Sequence, residues 1–159
     1  MDWYLEDMDG ALHKALFREI RKRSDAADMK WERRIQWGRE LIYAKEDGRK
    51  VYKLVDAATE TPQGAISMRD AEDHVYVELI ESASHNRSDP RRFLNVSRLL
   101  IAFAGQRSLD IGADGFLALK PKTGLYEYYQ RRFDAHPLPG GKVGIADYVT
   151  KHWISVYYK

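Results

Sequence analysis

The stretch from His74 to Phe133 constrains this chain more than any other. An apolar, β-branched run (His74-Val-Tyr-Val-Glu-Leu-Ile-Glu-Ser-Ala83) leads into a polar, basic segment (Ser84-His-Asn-Arg-Ser-Asp-Pro-Arg-Arg-Phe93). An amphipathic stretch of helical spacing follows, then a second short apolar run (Gly115-Phe-Leu-Ala-Leu-Lys120) and a tyrosine-rich helical segment. The predicted order is strand, cationic loop, helix, strand, helix. The first N–H groups of a helix have no acceptor inside it and the helix dipole favours an anion there, so the loop before the long helix is suited to hold a phosphate.

Upstream, Val51–Asp56 and Gln63–Met68 are β-rich runs joined to each other and to the His74 strand by short polar turns, which predicts an antiparallel meander. The helix from Asn95 to Gly112 would bury Val96, Leu99, Leu100, Phe103, Ala104 and Leu109, with Gly112 placed to end it. Toward the N-terminus, Leu12 to Lys22 sets Leu12, Ala15, Leu16 and Ile20 at helical spacing, which predicts a first amphipathic helix. Met29 to Tyr43 reads as a second helix, passing into a strand near Leu41. After Phe133, residues 134–141 are rich in Pro and Gly and form a loop or hairpin tip. Lys142 to Ala146 suits a final short strand, and Asp147 suits the N-cap of a terminal helix through Tyr158. The expected fold class is mixed α/β (α+β): a mostly antiparallel twisted sheet flanked by helices, with an extra N-terminal helical segment.

The 159 residues fit one domain, able to bury about two-thirds of its unfolded surface. A net charge of +2 gives no general pull toward nucleic acid, although basic residues cluster at 18–23, 33–39 and 87–98. The absence of cysteine excludes disulfides, thiolate metal sites and a cysteine nucleophile. The acidic start Met1-Asp-Trp-Tyr-Leu-Glu-Asp-Met-Asp lacks the character of a secretion signal, and no run is long enough to span a bilayer, so the expected setting is cytoplasmic. The five histidines are scattered without metal-ligand spacing, which points away from a metal centre. Gly140-Gly141-Lys142 lacks the rest of a phosphate-binding P-loop.

The loop and helix around Asn95-Val-Ser-Arg-Leu-Leu-Ile-Ala-Phe-Ala104, the lysine-containing strand after it and the helix Leu125-Tyr-Glu-Tyr-Tyr-Gln-Arg-Arg-Phe133 resemble the GNAT superfamily of acyl-CoA-dependent N-acyltransferases, in particular its small bacterial members. The resemblance covers roughly residues 50 to 135, a cofactor-binding core within a single domain of 1–159. Residues 1–45 form a divergent N-terminal segment outside it.

The resemblance implies acetyl-CoA as co-substrate. The superfamily's diphosphate loop, Gln/Arg-x-x-Gly-x-Gly/Ala, falls on Arg92-Phe-Leu-Asn-Val-Ser97, with Asn95 and Ser97 at the two glycine positions. Asn95 would then adopt a permissive turn geometry and Ser97 would donate its hydroxyl, with Val96 between them. Arg91, Arg92 and Arg98 would add charge to phosphate binding, and Arg87 would reach the adenosine 3′-phosphate. The backbone of Leu79, Ile80, Glu81 and Ser82 would run beside the pantetheine. Tyr129 matches the tyrosine that protonates the leaving thiolate, with Tyr126 and Tyr128 as neighbours to be told apart from it; any of the three also suits plain packing. For the base, Glu78 and Glu81 fall on opposite faces of a regular strand, unless a bulge changes the phase. Glu78 is preferred, with Glu81 and His85 left open.

The implied activity is acetyl transfer from acetyl-CoA to an amine by direct attack in a ternary complex. A second expectation is a catalytically degenerate GNAT-like protein acting as a protein-interaction module, motivated by the two missing glycines. A third is a toxin-like acetyltransferase acting on aminoacyl-tRNA, an activity known in the superfamily. Trp31, Trp37 and Tyr43 interleave with Arg33, Arg34 and Arg39, a pattern that suits either RNA or an acidic protein surface, or an amphipathic helix packed on the sheet. The acceptor, a protein or a small molecule, would lie against the N-terminal segment and the loop at 137–141. No membrane partner is expected.

Overall fold

The apolar runs of the meander are strands, as their alternation requires: β3 (Lys50–Asp56), β4 (Pro62–Asp70) and β5 (Val75–Ser82). The computed structural model describes residues 1–31 and 35–159. Strands β1 (Trp3–Glu6) and β2 (Leu12–Glu19) extend the sheet on one side, and β6 (Leu117–Leu119), β7 (His136–Leu138) and β8 (Lys142–Ile145) on the other. The described residues form one eight-stranded sheet in the order β1-β2-β3-β4-β5-β6-β8-β7. Every neighbouring pair is antiparallel except β5 and β6, which the intervening helix makes parallel.

Helix α1 (Trp37–Asp47) lies on one face of the sheet; α2 (Val96–Asp110), α3 (Tyr126–Phe133) and α4 (Asp147–Tyr157) lie on the other. The larger core unites Leu54, Ile66, Val75 and Val77 of the sheet with Leu99 and Leu100 of α2, Tyr129 and Phe133 of α3 and Val149 of α4. The smaller joins Ile20, Val51 and Ala65 to Met29, Ile35 and Trp37. Two glycines set how closely α2 can pack. A Cβ on Gly64 would fall 2.8 Å from Val96 Cγ1, and one on Gly105 would fall 2.5 Å from Thr150 Cβ. Fully buried Leu99 and Leu100 each contribute on the order of 1.5–3 kcal/mol by leaving water.

The central sheet, its flanking helices and strand β8 agree with the sequence reading; β7 does not, since His136–Leu138 lies in the segment read as a loop or hairpin tip and becomes a strand by pairing with β8, and neither does the N-terminal part. Leu12–Glu19 is a strand. Ala15 sits between Trp3 and Asp56 in the ladders, and Phe17 stacks on Phe103 at 3.8 Å between centroids. The spacing of Leu12, Ala15, Leu16 and Ile20 fits a helix, but a strand edge open on both sides and an aromatic partner across the core override it. Helix α1 begins at Trp37 rather than near Met29 and runs past Leu41, which is helical and not a strand. Residues 32–34 of the expected helix, including Arg33 and Arg34, lie outside the described residues. Ala146, not Asp147, occupies the N-cap of α4. Asp147 is its first helical residue, and its Oδ1 accepts from the Tyr148 N–H at 2.9 Å. No helix among the described residues is long and apolar enough to cross a membrane.

Candidate active site

Parallel pairing of β5 with β6 ends after Val77 and Leu119. Strand β5 continues to Ser82, while the chain after Leu119 leaves the sheet through Lys120-Pro-Lys-Thr123. The strands therefore splay, and a cleft of about 980 Å³ opens between them. Tyr76 and Glu78 to Ser82 form its β5 wall; Ser97 lies at the start of α2 and Tyr128 and Tyr129 on α3, while Arg87, Lys120 and Lys122 stand around it.

A bulge determines which β5 side chains reach the cleft. Ser67 pairs with Leu79 but Met68 pairs with Val77, so Glu78 is an extra residue on β5. The phase reverses there, and the regular alternation that would separate Glu78 from Glu81 is broken: both carboxylates lie on the α1 face. Glu78 Oε1 accepts from Arg69 Nε at 2.7 Å, while Oε2 is 3.9 Å from Arg49 Nη2. Glu81 is 5% exposed; its Oε1 accepts from Trp37 Nε1 at 2.8 Å and its Oε2 from Arg87 Nη2 at 3.0 Å. Behind Glu78, Arg49 donates to the buried Glu40 at 2.5 Å, and Ser67 Oγ donates to the same carboxylate at 2.8 Å. Burial works against the charge on Arg49, but its bonds to Glu40 and Asp47 outweigh this and keep the guanidinium firmly protonated.

The start of α2 is built differently from the expectation. Asn95 is fully buried with φ −110°, not in the left-handed region. Its side chain clamps β1: Oδ1 accepts from the Glu6 N–H at 2.8 Å and Nδ2 donates to Tyr4 C=O at 3.0 Å. The N–H of Phe93 is taken by Asn86 Oδ1 at 2.9 Å and that of Leu94 by Glu6 C=O at 2.9 Å. Val96, Ser97 and Arg98 form the first turn of α2, where N–H groups lack an intrahelical acceptor. Ser97 Oγ and Tyr128 Oη share a hydrogen bond of 2.8 Å between α2 and α3.

Tyr129 is 6% exposed yet lines the cleft, and burial pushes its phenol well above the ordinary value, so it stays protonated at neutral pH. His85 bonds Gln63 Oε1 at 2.8 Å and does not line the cleft.

No protein-family model matches the chain, and no curated protein matches it in sequence. Solved structures do match in shape. AtaTR bound with AcCoA aligns with a TM-score of 0.58 over 87% of this chain and 96% of its own, at 10% identity. A bacterial toxin aligns at 0.56 over 93% and 99%, also at 10% identity. An acetyltransferase of the GNAT family from Staphylococcus aureus Mu50 aligns at 0.53 over 82% and 97%, at 12% identity. The chain has the GNAT fold. At such low identity the likeness is one of architecture, and roles for single residues rest on the local geometry.

Glu78, Leu79, Ile80, Glu81, Ser82, Arg87, Ser97 and Tyr129 all line the cleft. Others do not. Arg98 lies over the Trp153 ring at 4.8 Å, because its position on α2 turns it toward α4. Arg92 lies over Phe93 at 4.7 Å, Arg91 Nε is 3.6 Å from Asp89, and Val96 is buried beneath α2. Arg87 turns back on β5, donating from Nε to Ser82 C=O at 2.8 Å and from Nη2 to Glu81 Oε2 at 3.0 Å. Tyr76, Lys120, Lys122 and Tyr128 line the cleft without having been singled out as site residues. The lysines flanking Pro121 just after a strand were a usable signal. Tyr76 carried none beyond its place in the strand, and Tyr128 was named only as a neighbour of Tyr129.

Proposed function

We propose that the protein transfers an acetyl group from acetyl-CoA to an amine by direct attack within the cleft between β5 and β6. The observation that carries this reading is that two carboxylates, brought to one face by the bulge, and the buried Tyr129 line one opening of the sheet. The fit to the acyl donor is tested by what surrounds the cleft: a strand edge freed of its β6 partner, cationic Lys120 and Lys122, and the first-turn N–H groups of α2 beside Ser97. These suit an amide-bearing arm and an anionic end.

Acetyl-CoA supplies an activated thioester carbonyl. Glu78 accepts the amine's proton as the new C–N bond forms: it is held by Arg69 through one oxygen, and among the described residues its second oxygen has only the 3.9 Å contact to Arg49. Glu81, fixed by Trp37 and Arg87, orients the amine. Tyr129 gives its proton to the departing thiolate as the C–S bond breaks. Tyr129→Phe should lower turnover by about 10²–10⁴-fold while leaving acetyl-CoA affinity within about twofold. The assay is thiol release over a panel of amines. Turnover unchanged by Tyr129→Phe would remove the tyrosine from the chemistry.

A second reading, a GNAT-fold interaction module without catalysis, is favoured by one specific observation: Phe93 and Leu94 N–H are committed inside the protein and Asn95 is committed to β1. Failure of acetyl-CoA to raise the melting temperature would select it. Saturating ligand at about a hundred times its Kd adds close to 2.7 kcal/mol of stability.

A further inference from the structure

A second hollow, of about 730 Å³, lies between the segment at 23–31 and the start of α1. It meets the cleft at Ile35, which lines both. Its floor is apolar, with buried Met29 and the indoles of Trp31 and Trp37. Its rim carries the exposed cations Arg23, Lys30 and Arg39, and no carboxylate lines it among the described residues. Arg18, Arg49, Arg69 and Arg107 each have an ion-pair partner, whereas these three have none among the described residues. Arg23 reaches the start of α1 because residue 38 is glycine: a Cβ there would come within 3.0 Å of Arg23 Cγ. Trp37 is the shared wall. It lines the hollow, is 1% exposed, and sends Nε1 through to Glu81 in the cleft.

We propose that this hollow holds the far end of the acceptor, and that the acceptor is an amine joined to a nucleotide-like group, a flat ring bearing phosphate. Three cations with no carboxylate partner among the described residues suit an anion of more than one charge, as a phosphate supplies. The indole-lined apolar floor asks for a flat, weakly hydrated body, which a carboxylate or phosphate alone does not provide. The volume, about 730 Å³, falls in the range of small-molecule sites. The amine would extend past Ile35 to Glu78 and Glu81. Its role as acceptor site rests on the transferase reading above; its affinity for nucleotide does not.

The test uses AMP as probe on the full chain, read by calorimetry and by tryptophan fluorescence, with and without saturating acetyl-CoA. AMP should bind equally in both conditions. Lys30→Ala and Arg39→Ala, both at exposed positions, should each weaken it roughly tenfold, and Trp31→Phe should reduce the fluorescence response. Inorganic phosphate should bind far more weakly than AMP. Displacement of AMP by acetyl-CoA, affinity unchanged in both cation variants, or phosphate binding as tightly as AMP would each overturn the proposal. So would an oligonucleotide that binds far more tightly than AMP with affinity falling steeply in salt, because the surface would then serve nucleic acid. If AMP passes while acetyl-CoA itself fails to bind, the nucleotide site stands and the transferase reading falls.

Discussion

Replacing Asn95 with Ala should destabilise the fold even though the residue stands in the loop before α2. Asn95 is fully buried, and its amide makes two hydrogen bonds to β1, to the Glu6 N–H and the Tyr4 C=O. Deleting it leaves both backbone groups without that partner, at about 1–3 kcal/mol each when buried. Both bonds are only part-buried, which places each near the lower end and the pair at about 2–3 kcal/mol. For a chain of this size, that corresponds to a fall in Tm of about 4–12 °C. Asn95→Gly would restore the glycine of the superfamily's loop, yet it should destabilise at least as much, since it removes the same bonds and adds backbone freedom. Urea unfolding followed by far-UV circular dichroism measures both. Variants within about 0.5 kcal/mol of the parent would refute the idea that Asn95 is a clamp on β1.

Gly105→Ala should cost about 1–3 kcal/mol by forcing α2 away from Thr150 of α4, seen as a lower calorimetric Tm; Thr150→Ser, which removes the Cγ2 contact at 2.9 Å but keeps the nearer Cβ at 2.5 Å, should recover only a small part of the loss. Arg107, through two hydrogen bonds of 3.1 and 2.7 Å, holds Asp70 below the usual carboxylate range. That stability is present above the ordinary Asp value and is lost as pH falls through the depressed one. Arg107→Ala should therefore flatten the acid side of the stability profile, and an unchanged profile would contradict the pairing. Ser97→Ala and Tyr128→Phe each remove one partner of the bond between α2 and α3. If the two hydroxyls serve the acyl donor, each variant should weaken acetyl-CoA by roughly tenfold in titration, whereas equal affinity would leave the pair a purely structural tie.

Strands β3, β4, β5, β6 and β8 were legible because they are short apolar runs between Pro, Gly and Asp turns, and α2 because its apolar positions repeat over 15 residues; β7, a His-Pro-Leu stretch inside the segment read as a loop, was not, because only its pairing with β8 makes it a strand. Leu12–Glu19 was not. Leu12, Ala15 and Leu16, with Ile20 just beyond, fit a helical face, and what makes it a strand is pairing on both sides with segments that no local window contains. The site divides in the same way. Tyr129 and the β5 segment were readable as residues in order along the chain. That Glu78 and Glu81 share a face was not, because a bulge depends on register against β4. Arg98 and Arg92 were basic residues in the right stretch of sequence. Their side chains are drawn to Trp153 and Phe93, aromatic partners that only the packing of α2 supplies.

The most direct test of the central claim is calorimetric titration of the protein with acetyl-CoA, repeated on a variant in which Ser82→Trp fills the cleft beside β5. Saturable one-to-one binding at micromolar concentration, lost in a folded Ser82→Trp variant, is the predicted result. No binding to the parent, or binding that the filled cleft leaves intact, would contradict the assignment of the opening between β5 and β6 as the acyl-donor site.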